Sequence, residues 1–164
     1  MNIYKNFIDK DHCNKINNVM LGLDFPWFYA KHQTAFKDSS FMGHCFYKDN
    51  NINSGFYYLV QPILNKLNPI KIINVRAALC LKRPMKCAWH HDFDDATSKD
   101  KVAVYYVNTN NGYTVFKNKK IKSEKNKIVI FDGNIKHKVK YQTDKDTRVI
   151  INCNYEQIEE VIKK

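Results

Sequence analysis

Trp89-His90-His91-Asp92-Phe93-Asp94-Asp95 holds the one adjacent pair of histidines in this 164-residue chain, followed at once by a carboxylate. In an extended backbone alternate side chains point the same way, so His90 and Asp92 share one face and His91 looks out from the other. An imidazole and a carboxylate side by side on a strand make two thirds of a facial metal site. The third ligand has to come from far along the chain, and His137 is placed to supply it. The pair is weak by itself. With six His and twelve Asp, chance gives one His-x-Asp in roughly two such chains of five.

The surrounding chain carries the strand signals that such a site needs. Upstream, Ile73, Val75, Ala77, Leu79 and Leu81 alternate with Asn74, Arg76 and Cys80, a period of two that ends at Arg83-Pro84. Downstream, Val102–Asn108 is rich in Val and Tyr. The turn signal Asn110-Asn111-Gly112 then predicts a return along Tyr113–Phe116. Lys127–Phe131 is a further strand, broken by Asp132-Gly133-Asn134. Lys136–Tyr141 and Arg148–Cys153 follow, joined through Thr143-Asp144-Lys145-Asp146. Paired as a hairpin, they bring His137 and Arg148 to one region of a sheet, with Ile150 and Asn152 on the face of Arg148. Residues 155–164 predict a short terminal helix.

The first seventy residues differ in character. Asp9 or Asp11 caps a helix with Cys13, Ile16, Val19 and Met20 on one side. Phe56, Leu59, Val60, Ile63, Leu64 and Leu67 predict a second, kinked or begun at Pro62 and closed by Asn68-Pro69. Between them lie Phe25-Pro26-Trp27-Phe28-Tyr29, a polar stretch to Ser40, then Phe41, Phe46 and Tyr47. These aromatics suit packing against a sheet, with a substrate-facing lid as the alternative. Helices followed by short strands and tight turns predict one α+β, mainly β domain over 1–164, with a double-sheet roll as its core.

Lys, Asn and Ile fill 59 positions, as in proteins coded by AT-rich genomes. The net charge of +11 is therefore read as compositional, with weak, non-specific nucleic-acid binding at most. Only three arginines occur, Arg76, Arg83 and Arg148. Where lysine is so favoured, each suggests a need for the planar guanidinium. Five scattered cysteines without a Cys-x-x-Cys pair suggest reduced thiols. No apolar run is long enough to span a bilayer and the start lacks a secretion signal, so a cytoplasmic protein is expected.

Two His and one Asp on one face of Fe(II) leave three positions open. A 2-oxo acid fills two and dioxygen the third. The far carboxylate of the acid then needs a fork-shaped cation, which Arg148 can supply, and Tyr106 can donate a further hydrogen bond.

The ordered set His90-x-Asp92, Tyr106-Val107-Asn108, Gly112-Tyr113-Thr114-Val115-Phe116, Phe131-Asp132, His137 and Arg148 resembles the 2-oxoglutarate/Fe(II)-dependent dioxygenases. It is most similar to their prolyl 4-hydroxylase-like branch, in a compact form also found in phages, and covers residues 71–154. The resemblance implies a double-stranded β-helix of the jelly-roll or cupin kind, braced by helices over 9–21 and 55–67. It implies that His90, Asp92 and His137 bind Fe(II). Arg148, Tyr106 and Asn152 would then hold 2-oxoglutarate, with ascorbate as an accessory reductant. The implied reaction is hydroxylation of a C–H bond, on a protein or peptide substrate by preference, with O2 as oxidant. The turn appears as Asn111-Gly112 in place of Gly-Gly.

Two other classes stay in view. A zinc hydrolase can use the same three ligands but leaves Arg148 and Tyr106 without a role. A basic nucleic-acid-binding or nucleobase-modifying protein needs lysines gathered on one face with exposed aromatics between them.

Overall fold

The computed structural model describes residues 1–30, 40–82 and 87–157. In chain order the elements are β1 (Asn2–Tyr4), α1 (Lys10–Met20), β2 (Phe28–Ala30), β3 (Phe41–Lys48), β4 (Asn51–Ile52), a 3-10 turn (Tyr57–Leu59) and α2 (Gln61–Leu67). Then come β5 (Lys71–Leu81), β6 (Asp100–Tyr106), β7 (Tyr113–Phe116), β8 (Lys120–Lys122), β9 (Lys127–Asp132), β10 (His137–Lys140) and β11 (Thr147–Glu156). One sheet has the order β1-β9-β6-β11-β5-β3-β2, with β4 on β3. A smaller sheet, β10-β7-β8, faces it and is extended on the β10 side by a single bridge at His90. This is the mainly β, jelly-roll-like architecture that the sequence predicts.

Period-two alternation divides the large sheet into a helix side and an inner side. Ala103 and Tyr105 of β6 join Val149, Ile151, Cys153 and Tyr155 of β11 in one cluster, which α1 covers with Ile16 and Met20 and α2 with Ile63, Leu64 and Leu67. The intervening Val102, Val104, Tyr106 and Ile150 pack inward against Phe116 and Ile121 of the small sheet. Leu, Ile and Phe side chains buried this completely each stabilise by about 1.5–3 kcal/mol. The same alternation turns Arg148, Asn152 and Arg76 inward, because they sit one step from Val149, Ile151 and Ala77.

The helices form as the sequence predicts. Asp9 caps α1, accepting from the His12 amide at 2.9 Å. Pro62 stands in the first turn of α2, where its missing N–H costs nothing. Asn68 closes that helix in the left-handed conformation, φ 48°.

Two strand pairings differ from expectation. Tyr113–Phe116 does not return along Val102–Asn108. Both edges of β6 are already taken, by β9 and β11, so β7 pairs with β10 in the other sheet. Asn108 makes the switch. Its side chain donates to Thr147 O at 2.9 Å and accepts from Val149 N at 2.9 Å, filling the next ladder position while the backbone leaves. For the same reason β10 and β11 are not a hairpin, and His137 and Arg148 face the cavity from opposite sheets. Tyr155 and Glu156 extend β11, while the expected terminal helix beyond Gln157 lies outside the described residues. So do the polar stretch before Ser40 and Arg83-Pro84.

The N-terminal aromatics divide. Phe25 and Phe46 are buried and Phe41 lines the inner cavity, whereas Phe28 and Tyr29 are exposed. His44 of β3 sits among them, with ring centroids 4.5 Å from Phe25 and 4.7 Å from Phe46. Its Nδ1 bonds Pro26 O at 2.8 Å and its Nε2 the Ser54 hydroxyl at 2.7 Å, which together suit the neutral ring. Burial pushes His44 below its ordinary value of 6.5, with the bond to Pro26 opposing. The unfolded chain therefore takes up a proton that the folded chain resists. The resulting stability is full above about pH 6.5 and declines as pH falls toward the folded value. His44→Gln keeps a donor and an acceptor but does not titrate. Its denaturation midpoint should fall less than that of wild type between about pH 7 and 5, and an equal fall would place the acid sensitivity elsewhere.

Candidate metal centre and the buried arginine

The chain leaves regular pairing after His90, so Trp89–Asp95 is not the continuous strand the sequence suggests. A single antiparallel bridge fixes the site instead. His90 N donates to His137 O at 2.9 Å and His137 N to His90 O at 2.8 Å, which sets the two side chains beside each other on one face. Their ring centroids are 4.4 Å apart. The bend that follows brings Asp92 round to them, its Oδ1 lying 3.8 Å from each Nε2. One ligand atom from each of His90, Asp92 and His137 lies within 4.8 Å of the others.

The orientation of the rings suits metal binding. Nδ1 of His90 meets Ala88 O at 3.1 Å and Nδ1 of His137 meets Ile135 O at 3.1 Å. With the proton held at Nδ1, both Nε2 lone pairs point into the cluster. Burial, chiefly, holds His137 below its ordinary range, although the Asp92 charge opposes it. The charges of His90 and Arg76 act in the same direction as burial. A neutral imidazole is the form that binds a cation. Phe131 and Phe116 pack on the His137 ring at 4.9 and 6.0 Å.

Asn152, which the resemblance set beside 2-oxoglutarate, has its side chain bonded to the metal cluster. Its Nδ2 donates to Asp92 Oδ2 at 2.7 Å, turning the other carboxylate oxygen toward the imidazoles. It touches a ligand residue of the cluster. His91 lies outside the cluster.

Arg148 is 1% exposed, which rules out the surface ion pair with Asp144 or Asp146 that its position would also allow. Its Nε donates to Ser123 Oγ at 2.9 Å and its Nη2 to Thr114 Oγ1 at 3.2 Å, while Nη1 is buried with no partner. The guanidinium lies 5.7 Å from the centroid of the Tyr106 ring. The Tyr106 hydroxyl donates to Thr114 Oγ1 at 2.8 Å, and burial pushes its pKa up, so it stays protonated. Thr114 thus orients both residues. Its presence in Gly112–Phe116 was visible in the sequence, but its role was not. Nor was that of Ser123.

Gly112 is required for space. It does not adopt a positive φ, but a Cβ there would stand 2.9 Å from Arg148 Cδ and 2.8 Å from Asn110 Oδ1. One cavity is lined by His90, His137, Arg148, Thr114, Asn152 and Arg76. Two imidazoles of the cluster and the guanidinium of Arg148 therefore face one cavity.

No known family model matches the chain, and no curated protein is similar to it in sequence at a significant level. Solved structures are similar. A viral collagen prolyl hydroxylase from Paramecium Bursaria Chlorella virus-1, in complex with 2-oxoglutarate, superposes with a TM-score of 0.58 at 12% identity, over 96% of each chain. A prolyl hydroxylase from Trichoplax adhaerens, in complex with a hypoxia-inducible-factor peptide, gives 0.67 at 13% identity, over 94% of this chain and 83% of that one. A 2OG-Fe(II) oxygenase-family oxidoreductase from Burkholderia pseudomallei gives 0.68 at 9%, over 93% and 82%.

His90→Ala and His137→Ala should each abolish tight binding of a divalent transition metal measured by calorimetry, whereas His91→Ala should retain it. Asn152→Ala frees Asp92 to rotate and should weaken binding roughly 10- to 100-fold. Equal loss in His90→Ala and His91→Ala would mean that the wrong imidazole has been assigned. The likeness in structure and this cavity agree on one architecture: the chain has the double-stranded β-helix fold of the 2-oxoglutarate/Fe(II) oxygenases.

Proposed function

We propose that the protein is a 2-oxoglutarate- and Fe(II)-dependent oxygenase that hydroxylates a C–H bond of a second substrate. The observation that carries this reading is the free Nη1 of Arg148, buried in the cavity that holds the His-Asp-His cluster. A guanidinium taken out of water with one nitrogen unpaired is costly, and an incoming carboxylate offsets that cost. 2-Oxoglutarate has the required shape, with a chelating keto-acid at one end and a second carboxylate at the other.

His90, Asp92 and His137 would hold Fe(II), and the donor set of two imidazoles and one carboxylate suits it. Bound there, iron and 2-oxoglutarate supply the dioxygen chemistry: the acid leaves as succinate and CO2, and one oxygen atom enters the substrate. Arg148 orients the distal carboxylate, held in turn by Ser123 and Thr114. Tyr106 supports Arg148 with its ring and Thr114 with its hydroxyl. Ala78, Val104 and Ile150 keep water from the space between. Asn152 orients Asp92.

A peptide or protein substrate is favoured, because two of the similar structures are prolyl hydroxylases and one holds a peptide. A zinc hydrolase is disfavoured. Among the described residues the cavity lining contains no glutamate to act as a general base, and Arg148 would have no task. Among the described residues, no helix is long and apolar enough to cross a membrane.

Succinate formation should require Fe(II) and 2-oxoglutarate together. Arg148→Lys keeps the charge but loses the fork, and a lost charge-assisted hydrogen bond of about 1.5–3 kcal/mol raises the 2-oxoglutarate KM roughly 10- to 150-fold. Iron content should stay unchanged. Equal KM values in the two proteins would remove Arg148 from the site. Gly112→Ala pushes on the same side chain from behind and should raise that KM as well, by a smaller factor. A Gly112→Ala enzyme with wild-type KM would show that the turn yields without moving Arg148.

A further inference from the structure

Arg76 has no task in the reading above. It lies on the inner face of β5, half-buried, lining the same cavity as the metal cluster. It stands opposite Asn152 on one side and Cys45 on the other. Among the described residues it has neither a hydrogen bond nor an ion pair. Asp92, the carboxylate of the cluster, is already committed to two imidazoles and to Asn152. The backbone positions of Arg76 and Arg148 are also well separated. Arg148 pairs with Cys80, four residues along β5 from Arg76, which is about 13 Å at roughly 3.3 Å per residue. The two arginines therefore enter the cavity from different points of the large sheet.

The neighbours of Arg76 are polar in the same unsatisfied way. Asn154 pairs with Asn74 one step further along the inner face, next to the Asn152–Arg76 pair. The side-chain oxygens of Asn74, Asn152 and Asn154 are all buried without a partner. Asn152 and Asn154 are 8% and 7% exposed. Buried carbonyl oxygens in native structures almost always meet a donor. Of these three residues Asn152 also lines the cavity that Arg76 enters, where the unpaired guanidinium can bind an anion.

We propose that this end of the cavity is the primary-substrate subsite, and that the substrate presents a carboxylate to Arg76. The inference rests on the oxygenase reading and narrows its substrate to a carboxylate-bearing compound. A free α-amino acid and an acidic residue within a peptide share that chemistry.

The experiment uses the full chain loaded with Mn(II) in place of Fe(II), so that nothing turns over. 2-Oxoglutarate is titrated first, on wild type, Arg76→Gln and Arg76→Lys, with melting temperatures taken alongside. The complex is then titrated with the L-amino acids, their α-carboxamides, and N-acetylated, C-amidated peptides with and without Asp or Glu. At least one carboxylate should bind wild type, with its carboxamide roughly 10- to 150-fold weaker. Arg76→Gln should bring the two to one affinity, and Arg76→Lys should recover part of the difference. Binding among the free acids alone identifies a metabolite, and binding among the acidic peptides identifies a protein side chain. Amides that bind as well as acids, or a panel in which no carboxylate binds, would overturn the proposal. So would a loss of 2-oxoglutarate affinity in Arg76→Gln as large as that in Arg148→Lys, which would assign Arg76 to the co-substrate. If wild type itself fails to bind 2-oxoglutarate, the oxygenase reading falls, and this one with it.

Discussion

Two backbone hydrogen bonds hold the centre of this molecule. His90 and His137 exchange their amides and carbonyls across a single bridge at the margin of the small sheet. The residues are 47 positions apart in sequence, and no strand continues beyond His90 to support the pairing. The bridge nevertheless decides the site. It sets the imidazoles on one face, and the bond from each Nδ1 to a nearby carbonyl leaves both Nε2 atoms free. Asp92 can then come from a bend rather than a strand, because Asn152 on the opposite sheet holds one of its oxygens.

The large sheet does the complementary work by alternation. Val149, Ile151, Cys153 and Tyr155 anchor β11 against the helices, and the residues between them are forced inward whatever their polarity. An inner face bearing Arg148, Asn152 and Asn154 weakens the core. The protein accommodates it by giving Arg148 two hydroxyl partners and an aromatic face, yet still leaves one guanidinium nitrogen unpaired. Such an arrangement stores part of the free energy of ligand binding as unfavourable burial in the empty protein. The two-faced strand is thus the link between stability and function: one face supplies the packing that the other lacks.

Much of this was legible in the sequence. The alternation along 71–81 and 148–153 identified both long strands, and the caps and apolar spacing identified both helices. His90, His137 and Arg148 stood out because His and Arg are scarce in this chain, and Asp92 through its place in the ordered set. Sheet partnership was not legible. A turn such as Asn110-Asn111-Gly112 looks the same whether it joins neighbours in one sheet or carries the chain across to another. The choice depends on which edges of β6 the later strands β9 and β11 occupy, which is non-local. For the same reason Ser123 and Thr114 could not be read as partners of Arg148, since a lone hydroxyl in a strand or just beyond one has no pattern of its own. β1, β2, β4 and β8 are two to three residues long, too short for a period to register.

Arg76 shows where scarcity and geometry have to be read together. In a chain that uses lysine almost everywhere, a retained arginine signals that a fork is needed, but Arg83 falls outside the described residues and Arg148 already has a proposed task. Only the register of β5 against β11 shows that Arg76 opposes the very asparagine that orients Asp92. A cation at that position carries a cost, since its charge disfavours a second cation at the metal cluster. A chain under no demand for an anion there would do better with an apolar residue such as its neighbour on the same face, Ala78. The guanidinium therefore makes most sense as half of a pair whose other half arrives with the substrate.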